Sequence, residues 1–144
     1  MSIDSALTDA GTRGSNPVVC GTNSFEKHLR LKLDVAPATR IENILWWTDG
    51  TPTANVALRA KEAVGAGGAT PGTGDATPSA TAMTGDIDAY SRTSGSKGTW
   101  DGTAGGYATL NNVTKALLLQ LQPAAGATPG TWPQETVNYS YDES

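Results

Sequence analysis

Residues 25–33 read Phe-Glu-Lys-His-Leu-Arg-Leu-Lys-Leu. In an extended chain Phe25, Leu29, Leu31 and Leu33 fall on one side, and Glu26, His28, Arg30 and Lys32 on the other; only Lys27 is out of step. Successive side chains of a strand point to opposite faces, so this alternation predicts a half-buried strand with one face in water or against a polar partner. Downstream, Arg40 to Thr48 carries Ile41, Ile44, Leu45, Trp46 and Trp47 on both faces. That pattern predicts a strand buried on both sides, or one whose outer face another chain covers. Asp49-Gly50 with Pro52 is a turn signal, and Asn55 to Lys61 alternates again through Val56, Leu58 and Ala60. The two segments are therefore expected to form a hairpin.

Two later segments repeat the period. In Lys115 to Gln122, Leu117, Leu119 and Leu121 alternate with Ala116, Leu118 and Gln120; from Glu135 to Tyr141, Val137, Tyr139 and Tyr141 share a face. Shorter strands are expected at Ile87 to Tyr90 and, within the N-terminal stretch, at most at Val18 to Cys20, with order also returning at Tyr107 to Leu110. Strands joined by Gly/Pro turns predict an all-β fold, an antiparallel β-sandwich of jelly-roll type. The domain plan is an extended N-terminal arm over 1–22 and a sandwich over 23–144, with 63–106 as a long Gly/Ala/Thr-rich loop insertion.

The composition restricts the core. A chain of 144 residues has room for one domain. Leu, Ile, Val and Phe together number only 23, a share at which composition begins to suggest disorder, but a net charge of -4 keeps self-repulsion weak. Gly and Pro number 25, which disfavours a helical bundle. The acidic balance, with no block of Lys or Arg, removes the electrostatic basis for nucleic-acid binding. No apolar run is long enough for a membrane helix, and Met1 to Thr22 has neither the basic start nor the apolar run of a signal peptide. One exact repeat stands out, Gly68-Ala-Thr-Pro-Gly-Thr73 and Gly126-Ala-Thr-Pro-Gly-Thr131, each with the Pro-Gly of a type II turn.

Catalytic groups are scarce. Cys20 and His28 are the sole cysteine and histidine, so no internal disulfide or Cys-rich zinc site is available, and any Ser-His-Asp hydrolase would have to use His28, on the polar side of its strand. Asp86-Ile-Asp88 offers two carboxylates where a hard cation wants six or more oxygens. Asp49 and Asp101 each precede Gly, which is turn chemistry, and the N-glycosylation patterns at Asn112 and Asn138 lack a secretory context. No phosphate-binding loop, dinucleotide fingerprint or nucleophile elbow occurs, and no cofactor or metal is expected. Aromatic residues carry more information: Trp46, Trp47, Trp100 and Trp132 accompany a single Phe. Adjacent Trp46 and Trp47 must point to opposite faces, so one fills the core while the other is covered by the 63–106 segment or by a neighbouring subunit, where tryptophan is a favoured anchor. All four stand as interface candidates, and a sugar-binding platform is a further role open to them.

Several segments, in order, carry a family resemblance: Asn23 to Leu33; Ile41-Glu-Asn-Ile-Leu-Trp-Trp-Thr-Asp-Gly50; Ala116-Leu-Leu-Leu-Gln-Leu-Gln122 with the small-residue turn from Ala124 to Gly130; and the closing Glu135-Thr-Val-Asn-Tyr-Ser-Tyr-Asp-Glu143. Together they resemble short virion structural proteins of tailed double-stranded DNA bacteriophages, over about half of the chain. The resemblance implies a virion component and leaves head and tail open. With the scarcity of catalytic groups and a polar arm leading a small β domain, the expectation is a non-enzymatic capsid decoration (cement) protein. It would be homo-oligomeric, bind the major capsid protein on the outer capsid surface, and contact neither nucleic acid nor membrane. A tail or head-to-tail connector protein and a carbohydrate-binding module are the alternatives. Residues 1–22 span roughly 70 Å when extended, at about 3.3 Å each, enough to lie across a neighbour. Val18, Val19 and Cys20 are the candidates for a strand added to a sheet edge there, and Ile3 and Leu7 for anchors near the tip. The competing expectation is an arm folded back along its own sandwich.

Overall fold

The computed structural model describes residues 2–4, 18–24, 26–65, 67–68, 81–130 and 135–144. Eight strands run β1 (Ser2–Asp4), β2 (Lys27–Lys32), β3 (Ile41–Thr48), β4 (Val56–Val64), β5 (Ile87–Asp88), β6 (Gly98–Asp101), β7 (Ala116–Pro123) and β8 (Val137–Glu143), with one 3₁₀ turn at Ala89–Ser91. They form two antiparallel sheets, ordered β1-β2-β7-β4-β5 and β6-β3-β8. The expected all-β class with antiparallel sheets is what the chain adopts.

One core joins the two sheets. Leu29 and Leu31 of β2, Leu33 just beyond it, Leu58 and Ala60 of β4 and Leu117 of β7 meet Ile41, Ile44 and Trp46 of β3 and Trp100 of β6. The apolar mixture in β3 has a local cause. Asn43 takes a positive φ of 51° where the register shifts, so Ile41 and Ile44, three residues apart, are both buried. Such a bulge resets the alternation, and asparagine tolerates this backbone region better than most residues. Leu45 and Trp47 are left half-buried on the other face.

The expected hairpin between β3 and β4 does not form. Both edges of β3 are occupied, by β6 and β8, and β4 lies in the other sheet between β7 and β5. Asp49 to Asn55 is a crossover between sheets, held where Gly50 N–H donates to Glu135 Oε1 at 2.8 Å. Nor is 63–106 a plain loop. It supplies β5, the 3₁₀ turn and β6, and buries Met83, Ala89 and Trp100. Met83 packs with Ala116, Leu118 and Val64 on the outer face of β7, and Gln120 Oε1 accepts from its N–H at 3.2 Å. This segment covers its own sheet, which is how β7 comes to be buried on both faces.

One smaller expectation is also corrected. Val18 to Cys20 is not a strand: it enters a turn closed by Thr22 N–H to the Val19 carbonyl, after which Gly21 and Ser24 donate to Pro123 and Leu121 and prolong β2 along β7. At Tyr107 to Leu110, where order was expected to return, Tyr107 makes a two-way backbone bridge with Ile41, both bonds at 2.8 Å, and Leu110 is exposed. The first copy of the repeat lies outside the described residues beyond Gly68.

Candidate functional site

Trp46 and Trp100 are fully buried, so neither can anchor a surface contact, contrary to expectation. Both sit at inward positions of the three-stranded sheet. Trp46 Nε1 donates to Glu62 Oε1 at 2.9 Å, and Arg92 forks onto the same carboxylate at 3.0 and 3.2 Å. Gly98 lies directly beneath, where a Cβ would overlap Glu62 Oε1, Trp46 Nε1 and Arg92 Nε. Trp100 Nε1 donates to the Lys115 carbonyl at 3.1 Å, and its ring meets Tyr139 edge-on at 6.3 Å. Each indole N–H therefore has an acceptor, as burial of a tryptophan requires.

A second buried polar group braces the same end. Asp101 Oδ1 accepts from Thr103 N–H and Oγ1, at 2.9 and 2.6 Å; Oδ2 accepts from the Tyr107 hydroxyl and Lys115 N–H, at 2.6 and 2.7 Å. Burial pushes the Asp101 carboxyl up, but these bonds outweigh it and hold it below its ordinary range. Burial and the bond to Asp101 push the Tyr107 phenol up to about 12.

Trp47 is the candidate that faces outward. Lys97 Nζ stands 4.4 Å from its ring centroid, a cation–π contact, and 3.3 Å from Ser140 Oγ on β8. Beside the indole opens a depression of about 280 Å³ lined by Trp47, Thr48, Asp49, Gly50, Tyr90, Thr93 and Ser94. Burial pushes the Tyr90 phenol up to about 12, with further upward contributions from the charge of Glu135 and a hydrogen bond to it. An aromatic wall, a carboxylate and several hydroxyls suit a small neutral polyol. The chain's own 90–97 stretch borders Trp47, with Lys97 over the ring and Tyr90, Thr93 and Ser94 lining the depression beside it. Lys97, Tyr90 and Asp49 were not foreseen as its companions, because two of them come from the segment read as loop.

The remaining expected residues are dispersed. Val19 is exposed, Val18 and Cys20 are half-buried, and Cys20 Sγ lies 3.4 Å from the Ala127 carbonyl. Ile3 belongs to β1, opposite Leu31 of β2 in the same chain, so the tip of the arm folds back on its own sheet. Leu7 and Trp132 lie outside the described residues. His28 Nε2 stands 3.6 Å from Glu26 Oε2. Asp86 pairs with Arg59 at 2.5 Å, and Asp88 caps the 3₁₀ turn through Tyr90 N–H.

Comparison of the chain with protein-family models, curated proteins and solved structures finds no match.

Proposed function

We propose that the chain is a non-enzymatic structural protein of a tailed-phage particle, a decoration (cement) protein on the outer capsid surface that binds the major capsid protein and stabilises the head. Strand order carries this reading. A jelly roll numbered along its chain runs 1-8-3-6 in one sheet and 2-7-4-5 in the other, and it recurs in viral capsid and lectin domains. Here the orders 2-7-4-5 and 8-3-6 agree with seven of those eight places. The departure is β1, which lies beside β2 rather than β8. The resemblance of the strand sequences to virion proteins supports the same reading.

The test is the copy number on purified particles and the firmness of attachment. Hundreds of copies per particle support decoration, and a single ring's worth supports a tail or connector protein instead. A chain lacking residues 1–17 should keep its β fold but leave the capsid at lower temperature or chaotrope concentration. Equal retention would show that the arm is not the tether.

One observation favours a second reading, a carbohydrate-binding module: the depression beside Trp47 with Asp49 and Tyr90 on its walls. Glycan-array binding abolished by Trp47→Ala would support it.

A further inference from the structure

The four sheet edges differ in length. Among the described residues β1, β5 and β6 expose edges of three, two and four residues, whereas β8 exposes seven. Short edges are one way proteins prevent unwanted pairing; others are proline, lysine and bulges on the edge. β8 reads Val137-Asn-Tyr-Ser-Tyr-Asp-Glu143 and has no proline, glycine or lysine. Its bulge lies on the β3 side, at the Glu42/Leu45 step. Among the described residues its backbone pairs only with β3 and, just past its end, with Arg40.

Reflected about Ser140, β8 sets Tyr139 against Tyr141 and Asn138 against Asp142, while Val137 and Glu143 differ. We propose that two copies of the chain pair β8 to β8 antiparallel about a two-fold axis at Ser140, giving one continuous sheet β6-β3-β8-β8-β3-β6. An antiparallel strand can always meet its own copy this way, because a two-fold contact is self-complementary. In this register Ser140 faces Ser140 of the second copy, and Tyr139 faces Tyr141. Within one chain Tyr139 and Tyr141 already stack at 6.4 Å with planes 18° apart, and Tyr141 is 38% exposed. Pairing would close them into a patch of four rings.

Charge agrees with the same register. Asp142 faces Asn138 of the second copy and Glu143 faces Val137, so no two carboxylates lie directly opposite. Lys97, held at Ser140 Oγ, comes to the same face as Asp142 of the second copy and diagonal to it. Shifting the register by two residues sets Asp142 opposite Ser140 or Thr136 and leaves one pair of tyrosines opposed instead of two. The pairing requires nothing of the capsid reading and would hold for either function.

Cysteine cross-linking of the full chain in a Cys20→Ser background tests it. Directly opposed residues of an antiparallel pair lie about 4.5–5.5 Å apart at Cα, within disulfide reach. Under mild oxidation Ser140→Cys should become a covalent dimer. Asn138→Cys, whose own copy lies roughly 13 Å along the strands at ~3.3 Å per residue, should stay monomeric. Mixed with Asp142→Cys, the Asn138→Cys chain should form the heterodimer. Sedimentation of the unmodified chain should show a concentration-dependent dimer that Tyr141→Lys abolishes. Should Ser140→Cys fold poorly, the mixed pair tests the same register. A chain that stays monomeric at all concentrations without cross-linking, or one that cross-links equally through Asn138→Cys alone, overturns the proposal.

Discussion

Trp46 and Trp47 are consecutive in β3, yet one indole ends beneath the sheet and the other above it. The Trp46 N–H donates to Glu62 at 2.9 Å inside the molecule, while the Trp47 ring lies under the Lys97 ammonium at 4.4 Å outside. The strand's alternation separates them, and the contents of the two faces then give the rings different roles.

Their substitutions should separate accordingly. Trp46→Ala should cost about 3–5 kcal/mol, the usual range for deleting a buried aromatic, and leaves the Glu62 carboxylate without one donor. Trp47→Ala, at a half-exposed position, should cost roughly 1 kcal/mol, from lost packing and the cation–π contact. Denaturant unfolding of both variants measures the difference, and similar losses would contradict the assignment of faces.

Gly98 is the tightest point in that cluster. A methyl there overlaps Glu62, Trp46 and Arg92 atoms, so Gly98→Ala should destabilise by about 1–3 kcal/mol, as overpacking does. Because all three neighbours share one carboxylate, Glu62→Ala should partly relieve the clash. The double variant should then be less damaged than the sum of the single ones, which a double-mutant cycle measures.

Asp101 makes stability depend on acid. Its folded carboxyl titrates below the unfolded value near 3.9, so its contribution is fully present above that value and is lost as pH falls through the lower folded one. Urea midpoints should fall below about pH 4. Asp101→Asn should cost about 1–3 kcal/mol at neutral pH, since at least one buried donor loses its acceptor, and should flatten that acid limb.

Alkali acts through two tyrosines. Tyr90 and Tyr107 ionise near 12 in the folded chain against about 10 when unfolded. Raised values contribute stability that is complete below about pH 10 and disappears as pH climbs towards 12. Tyrosinate absorbance should show Tyr90 and Tyr107 ionising late while the chain stays folded, and Tyr107→Phe should remove one of these late steps.

The arm should prove nearly independent of the domain's stability. β1 adds three residues of pairing at an edge, so removing residues 1–17 should shift the unfolding midpoint little and leave the β-rich circular dichroism unchanged. Loss of the fold would show that the arm contributes to the core.

Much of the secondary structure was legible in the sequence, because a period of two is a local property. Leu29, Leu31 and Leu33, the alternation of Val56, Leu58 and Ala60, and the leucines of β7 announced their strands and inner faces without reference to anything distant. The choice of partners was not local. β3 and β4 follow each other across a turn signal yet enter different sheets, because β6 and β8, some fifty and ninety residues further on, occupy both edges of β3. The surroundings of Trp47 were hidden for the same reason: Tyr90 and Lys97 reach it from a stretch too poor in large side chains to read as structure. The sequence by itself determined which residues could turn inward. The tertiary structure decided what they met there, since hydrogen-bonded edges are filled by whichever strand the rest of the core brings to them.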